Sequence, residues 1–142
     1  MLIKYYCDTF NKITYSLWAG EADAAEWLAS LRKTIEDPAW AASRIWIIDQ
    51  TTIKLMTAIS VSTLEQVGIL LNQHIVDLQN RKIVIISEDA FYQEDRIQAV
   101  LRQLQVNVIV LSDLTSACTY LNLDLATVQR EFAWLHADAA DQ

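Results

Sequence analysis

The sequence predicts an α/β fold: a small, mixed, mostly parallel five-stranded sheet with an N-terminal hairpin and four to five helices. The first observation is a set of three continuously apolar runs, a pattern typical of strands buried on both faces of a parallel sheet. The second is that amphipathic stretches separate these runs, as the helices of right-handed crossovers do. The third is an opening segment rich in Tyr, Ile and Thr, which favours strands.

The hairpin is predicted over residues 2–18, with its turn at residues 8–12. Because this segment alternates apolar with polar residues more than the other strands, we expect it to be the most exposed pair, at one side of the sheet. Gly20 ends the pattern, Asp23 favours a helix start, and Asp37-Pro38 ends that helix. The apolar face of the helix consists of Ala24, Trp27, Leu28, Leu31 and Ile35.

The three apolar runs predict adjacent parallel strands, which lie at residues 45–48, 83–86 and 107–111. A helix from Ser62 to Gln79 is predicted between the first two, and Ser62 and Glu65 have the spacing of a reciprocal capping box. Ser62 is therefore expected to be a structural cap. Further apolar stripes predict helices at residues 97–104, 114–121 and 125–135.

Length and composition favour one domain. With 142 residues, 53% of them apolar and 20% charged, the chain should form a single core, which we expect over residues 1–136, followed by a frayed tail over residues 137–142. The N-terminus lacks the apolar stretch of a signal peptide, and no run is long enough to cross a bilayer. A cytoplasmic location without membrane contact is the expectation, and Cys7 and Cys118 are expected to be free thiols.

The charge and motif content exclude several functions. A net charge of −7, with dispersed bases, makes nucleic acid a poor partner. The only two glycines, Gly20 and Gly68, are too far apart for a phosphate-binding loop or a dinucleotide fingerprint. His74 and His136 have no partner at metal-ligand spacing, and His74 falls on the apolar side of its helix as a core or boundary residue. We expect no cofactor and no metal.

Catalysis has no signature in this chain. Counting residues leaves a Ser-His-Asp triad open, since triads assemble in space, but no nucleophile-elbow motif supports one. We therefore expect that the protein is not an enzyme.

Polar residues follow the predicted parallel strands, at the sheet edge where open α/β sheets bind ligands. Asp49, Ser87 and Asp89 are the candidate binding residues, and Ser112 and Asp113 follow the last strand. Because Ser and Asp between a strand and a helix also serve as N-caps, capping is the favoured reading and ligand contact the alternative.

Five tryptophans are many for this length, and indole rings are enriched where proteins meet. Trp27 and Trp46 lie in core patterns. Trp40, after the Pro38 break, and Trp134, off the apolar stripe of the last helix, are harder to bury within one monomer. They are the candidate binding residues for a partner or for self-association, with packing under a loop as the alternative.

The order strand-strand-helix-strand-helix-strand-helix-strand-helix resembles the STAS and anti-sigma-factor-antagonist (SpoIIAA-like) proteins, particularly the bacterial STAS/SEC14 branch. The resemblance spans most of the chain. The stretches that carry it are residues 17–20, Asp37-Pro38, the strand ending in Asp49, and residues 110–117.

The resemblance implies a regulatory, protein-binding or small-ligand-binding module. Antagonist members of the family carry a phosphorylatable hydroxyl in an Asp-Ser-Ser-Gly or Asp-Ser-Thr-Gly motif, whereas the matching stretch here, residues 56–64, has neither the Asp nor the Gly. The leading hypothesis is a non-catalytic module that binds a protein or self-associates. A carrier of a small apolar ligand is the alternative, and a hydrolase comes third.

Overall fold

The computed structural model describes residues 2–55, 60–87 and 102–140. The strands are β1 (Leu2–Asp8), β2 (Ile13–Ala22), β3 (Ile45–Leu55), β4 (Lys82–Ile86) and β5 (Val108–Leu111). The helices in the described ranges are α1 (Ala24–Ile35), α2 (Pro38–Ala41), α3 (Val61–Gln73), α4 (Ile75–Gln79), α5 (Leu114–Leu121) and α6 (Leu125–Ala140).

The five strands form one sheet in the order β1-β2-β3-β4-β5. The β1–β2 pair is antiparallel, and the pairs β2–β3, β3–β4 and β4–β5 are parallel. The predicted α/β fold, with its N-terminal hairpin and three adjacent parallel strands, is therefore confirmed.

Helices cover both faces of this sheet. Helices α1 to α4 pack on one face, in a core that includes Trp27, Trp40 and Leu70. Helices α5 and α6 pack on the other face, where Cys118 and Phe132 meet the apolar side chains of the strands. Two separate cores result, with the sheet as the middle layer.

The chain reverses between β1 and β2 at a turn that the Asp8 carboxylate stabilises. Its Oδ1 atom accepts hydrogen bonds from the N–H groups of Phe10 (3.1 Å) and Asn11 (3.0 Å), an Asx-type turn. Lys12 takes a left-handed conformation with φ 58° before β2 begins. The predicted turn residues thus carry the reversal.

The hairpin lies at one side of the sheet, as predicted, but the expectation that it is the most exposed pair is wrong for its second strand. Strand β2 lies between β1 and β3 in the sheet, and helices cover both of its faces. Every side chain from Ile13 to Trp18 is therefore buried. Its polar residues have internal partners: Ser16 Oγ accepts from Trp46 Nε1 at 2.7 Å, and the Thr14 hydroxyl bonds with that of Ser43. The alternation in β2 therefore reflects buried hydrogen bonds rather than contact with solvent. Of the two hairpin strands, only β1 lies at an edge of the sheet.

Two helical boundaries differ from prediction. The stretch expected as one helix from Ser62 to Gln79 breaks at His74, which has φ −117° and separates α3 from α4. The last helix continues through Ala140, so residues 137–140 are helical where a frayed tail was expected. The predicted helix over 97–104 lies mostly outside the described residues.

The N-cap of α3 is Ser60 rather than Ser62. The Ser60 hydroxyl accepts a hydrogen bond from the N–H of Thr63 at 3.1 Å, and Ser62 lies inside the first turn. The predicted Ser62–Glu65 capping box is therefore wrong, because the helix begins one residue before Ser62.

Replacing Ser60 with Ala should lower the free energy of unfolding by about 1 kcal/mol, as removal of an N-cap hydroxyl does. The matched control is Ser62→Ala, which removes an exposed hydroxyl two residues away and should leave the urea midpoint nearly unchanged. Equal losses in the two variants would argue against this assignment of the cap.

Candidate functional site

Trp40 is not available to a partner. Its side chain is 0% exposed, so the prediction that it would be hard to bury within one monomer is wrong. Asp37-Pro38 does not simply end α1: Asp37 accepts from the N–H of Ala39 at 2.9 Å and starts the short helix α2, which directs Trp40 into the core. Its ring packs edge-on against Trp46, with centroids 5.3 Å apart.

The group that completes the burial of Trp40 is Arg81, which the sequence analysis counted only as one of the dispersed bases. The Arg81 Cζ atom lies 3.6 Å from the centroid of the indole ring, a cation–π contact. Arg81 is itself buried, and burial lowers the pKa of its guanidinium to about 10, so it stays charged at neutral pH.

Three backbone carbonyl groups accept hydrogen bonds from the Arg81 guanidinium. Nη1 donates to Trp40 O (2.9 Å), Nη2 to Ala41 O (3.2 Å) and Nε to Asp77 O (2.7 Å). These carbonyls belong to α2 and α4, so Arg81 joins the two short helices. Trp40 and Arg81 together form a structural unit of the core rather than a contact surface.

Trp134, in contrast, is 56% exposed on the outer side of α6. Its ring meets Tyr6 of β1 edge-on, with centroids 5.9 Å apart, and Tyr6 is itself 39% exposed. Tyr6 stacks on the buried Tyr15, which packs against Phe132 of α6. The exposed aromatic pair is therefore held in place by a buried one.

A third exposed aromatic residue belongs to the same hairpin. Phe10, at the tip of the β1–β2 turn, is 91% exposed. We refer to Tyr6, Phe10 and Trp134 as the aromatic edge. Trp134 was a candidate from the sequence, whereas Tyr6 and Phe10 were not. The hairpin was expected at one side of the sheet, but alternation alone does not show that Tyr6 lies on the α6 face beside Trp134.

Strand β1 adds backbone groups to this surface. Among the described strands it pairs only with β2, and its other side faces away from the sheet. An edge strand presents a row of unpaired N–H and C=O groups, which can pair with another strand. The aromatic edge therefore combines apolar rings with a backbone that can accept a further strand.

Two of the other predicted residues, Asp49 and Ser87, lie near the carboxyl end of β4, but Asp49 does not follow its own strand as predicted, because β3 continues to Leu55. Asp49 lies where the β2–β3 register shifts, since Leu17 pairs with Asp49 but Ala19 pairs with Thr52. A bulge of this kind redirects side chains. Ser87 follows β4 and is buried, with its N–H donating to Leu111 O at 3.0 Å. Asp89 lies outside the described residues.

Asp49 caps no helix. Its Oδ1 atom accepts hydrogen bonds from the N–H (3.0 Å) and the hydroxyl (2.8 Å) of Thr51, and its Oδ2 atom lies 3.8 Å from His136 Nε2. The contact joins the middle of β3 to the last turns of α6. The sequence analysis placed His136 at the margin of a tail, and only the unbroken apolar stripe up to Leu135 indicated that the helix would bring it to the sheet.

Capping explains the polar residue after β5. Asp113 Oδ1 accepts from the N–H of Ser116 at 2.7 Å and starts α5. That hydrogen bond is the main cause of a lowered pKa at Asp113, which keeps the cap ionised. The capping interpretation thus holds at this position, whereas Asp49 accepts hydrogen bonds from Thr51 within β3 and lies close to His136.

An apolar cavity of about 30 Å³ lies between α1, α3 and the sheet. Its walls are entirely aromatic and aliphatic and include Trp18, Trp27 and Trp46. The volume suits about one water molecule, whereas pockets for small-molecule ligands enclose roughly 300–1,000 Å³.

No protein-family model matches the sequence, and no curated protein matches it. In the described part of the chain, no helix has both the length and the apolar character needed to cross a membrane. The described residues also contain no cluster of three or more His, Cys, Asp or Glu side chains placed to hold a metal ion.

Proposed function

We propose that the protein is a non-catalytic binding or regulatory module, of the STAS-like type, and that its contact surface is the aromatic edge. The observation that carries the proposal is the Tyr6–Trp134 pair, two partly exposed rings in contact at the edge strand β1. Aromatic residues are enriched in protein interfaces because they remove a large area from water and lose little conformational entropy.

The electrostatics favour a protein partner. The chain carries a net charge of −7, so its surface repels phosphate backbones on average. We expect it to act in the bacterial cytoplasm, with no nucleic acid or membrane as its partner. The alternative of carrying a small apolar ligand has weaker support, since the apolar cavity between α1, α3 and the sheet holds about 30 Å³, and the larger groove between α1 and α3, of about 350 Å³, is open and partly polar.

The test is to replace Trp134 with Ala. A buried interface indole is worth about 2 kcal/mol or more of binding, so the variant should bind its partner roughly 30-fold more weakly. The tagged chain is used to retain proteins from a bacterial extract, and quantitative mass spectrometry compares the variants, while sedimentation velocity measures self-association.

Tyr120→Ala is the matched control, because Tyr120 is an exposed aromatic residue on α5, away from the aromatic edge. It should behave as the wild type in both measurements. If Trp134→Ala changed neither the retained proteins nor self-association, the aromatic edge would not be the contact surface.

A further inference from the structure

The edge strand β1 carries a charge pattern that is complementary to itself. Successive side chains of a strand point to opposite faces, so Lys4, Tyr6 and Asp8 share one face. It is the α6 face, because Tyr6 stacks on Tyr15 and meets Trp134 there. Along this face the strand presents a base, an aromatic ring and an acid, with the ring at the centre.

We propose that the partner at the aromatic edge is a second copy of this chain, joined by antiparallel β1–β1 pairing about a two-fold axis at Tyr6. The inference rests on the proposed function, since it requires the aromatic edge to be a contact surface. A two-fold interface brings the same patch of both subunits together, and such a patch must therefore be self-complementary.

The two-fold register satisfies this condition. With Tyr6 opposite Tyr6, Lys4 of each copy lies opposite Asp8 of the other, which gives two ion pairs on either side of the central rings. Each Tyr6 already contacts its own Trp134, so four aromatic rings line one face of the joined sheet. Tyr5 lies opposite Cys7 on the other face.

The Asp8 carboxyl is ionised, as an ion pair with Lys4 of the second copy requires. Hydrogen bonds from Asn11, and to a lesser extent from Phe10, lower the pKa of the Asp8 carboxyl, so it remains charged at neutral pH. The charges of Lys4 and Asp8 cancel, so β1 has no net charge, whereas the whole chain has a net charge of −7. Two acidic copies can therefore approach through this strand with less repulsion than through an average part of the surface.

The first experiment measures the oligomeric state by sedimentation velocity over a wide concentration range. The wild type should form a dimer of two 16.2 kDa chains. Lys4→Glu places two acids opposite each other at both ends of the contact and should raise the dissociation constant about 100-fold. Lys33→Glu makes the same charge change at an exposed position on α1 and should leave the dimer intact. Thermal melts establish that all three proteins are folded.

The second experiment tests the register by disulfide formation. Directly opposed residues of an antiparallel pair have Cα atoms roughly 4.5–5.5 Å apart, within disulfide range. Tyr6→Cys should therefore cross-link two copies through position 6, as identified by peptide mass. Lys4→Cys is the matched control: two copies of position 4 lie roughly 14 Å apart along the strands and should not cross-link.

The outcomes separate the two proposals. A monomeric wild type at every concentration would overturn the second-copy proposal, and loss of a retained protein in Trp134→Ala would then point to a different protein or peptide at the aromatic edge. Cross-linking at position 4 in preference to position 6 would overturn the register. If Trp134→Ala also had no effect, both proposals would fall.

Discussion

Arg81→Ala is expected to lower the free energy of unfolding by about 2–3 kcal/mol, because it removes a buried charged donor that serves three backbone carbonyl groups. The carbonyl oxygens of Trp40, Ala41 and Asp77 each lose a charged donor, although that of Trp40 still accepts from the N–H of Ser43 at 2.9 Å. The indole of Trp40 also loses the cation that covers its face at 3.6 Å.

Urea denaturation followed by tryptophan fluorescence measures this loss. Arg130→Ala is the matched control, since Arg130 is exposed on α6 and its removal should change stability by less than about 0.5 kcal/mol. Arg81→Lys keeps a positive charge but lacks the planar fork that reaches several carbonyls, so it should fall between the wild type and Arg81→Ala. Similar midpoints for Arg81→Ala and Arg130→Ala would show that the network contributes little.

The sheet was predictable because its signals are local. The runs at residues 45–48, 83–86 and 108–111 are apolar without interruption, a pattern typical of strands in a parallel sheet that helices cover on both faces. The alternation in β2 was misread for a related reason. A buried serine and a solvated one look the same in sequence, and only the indole of Trp46 shows that Ser16 is internal.

The two tryptophans differ because of residues far away in the chain. Trp40 is buried under Arg81, forty-one residues later, which no periodicity within α2 could indicate. Trp134 is exposed because it lies beside the edge strand, and its contact with Tyr6 joins the last helix to the first strand. Non-local pairing, rather than local propensity, decides which indole is available to a partner.

The carboxyl edge illustrates the same point. Asp49 and Ser87 were expected after the ends of their strands. Ser87 follows β4, whereas Asp49 lies inside β3, which pairs with β2 as far as Leu55 and so continues beyond the end of β4. Their partners could not be read from the sequence. Asp49 reaches His136 only because α6 crosses the sheet and continues beyond Leu135.

Alkaline pH is expected to destabilise the protein steeply between about pH 10 and 12. Burial, followed by its hydrogen bond to Asp37, raises the pKa of Tyr5 to about 12. Burial, followed by the charge of Asp8, raises the pKa of Tyr15 to about 12. Burial also raises the pKa values of the thiols of Cys7 and Cys118. In the unfolded chain a tyrosine has a pKa of about 10.

The direction of the effect follows from proton linkage. A group whose pKa is higher in the folded state holds its proton more tightly there, so its contribution to stability is complete below the unfolded pKa and disappears as the pH rises through the folded pKa. For the two tyrosines the loss begins near pH 10 and is complete near pH 12. The thiols, which ionise near pH 8.5 when unfolded, start the decline earlier.

Tyr5→Phe tests this account. At neutral pH the variant should melt at a lower temperature than the wild type, because Tyr5 donates a hydrogen bond of 2.6 Å to Asp37 Oδ2. Above pH 10 it should lose less stability per pH unit, because one of the linked protons is gone. The melting temperatures of the variant and the wild type, plotted against pH, should therefore converge toward pH 12. Tyr120→Phe, at an exposed position, should instead follow the wild type throughout, and a Tyr5→Phe profile parallel to that of the wild type from pH 7 to 12 would contradict the linkage.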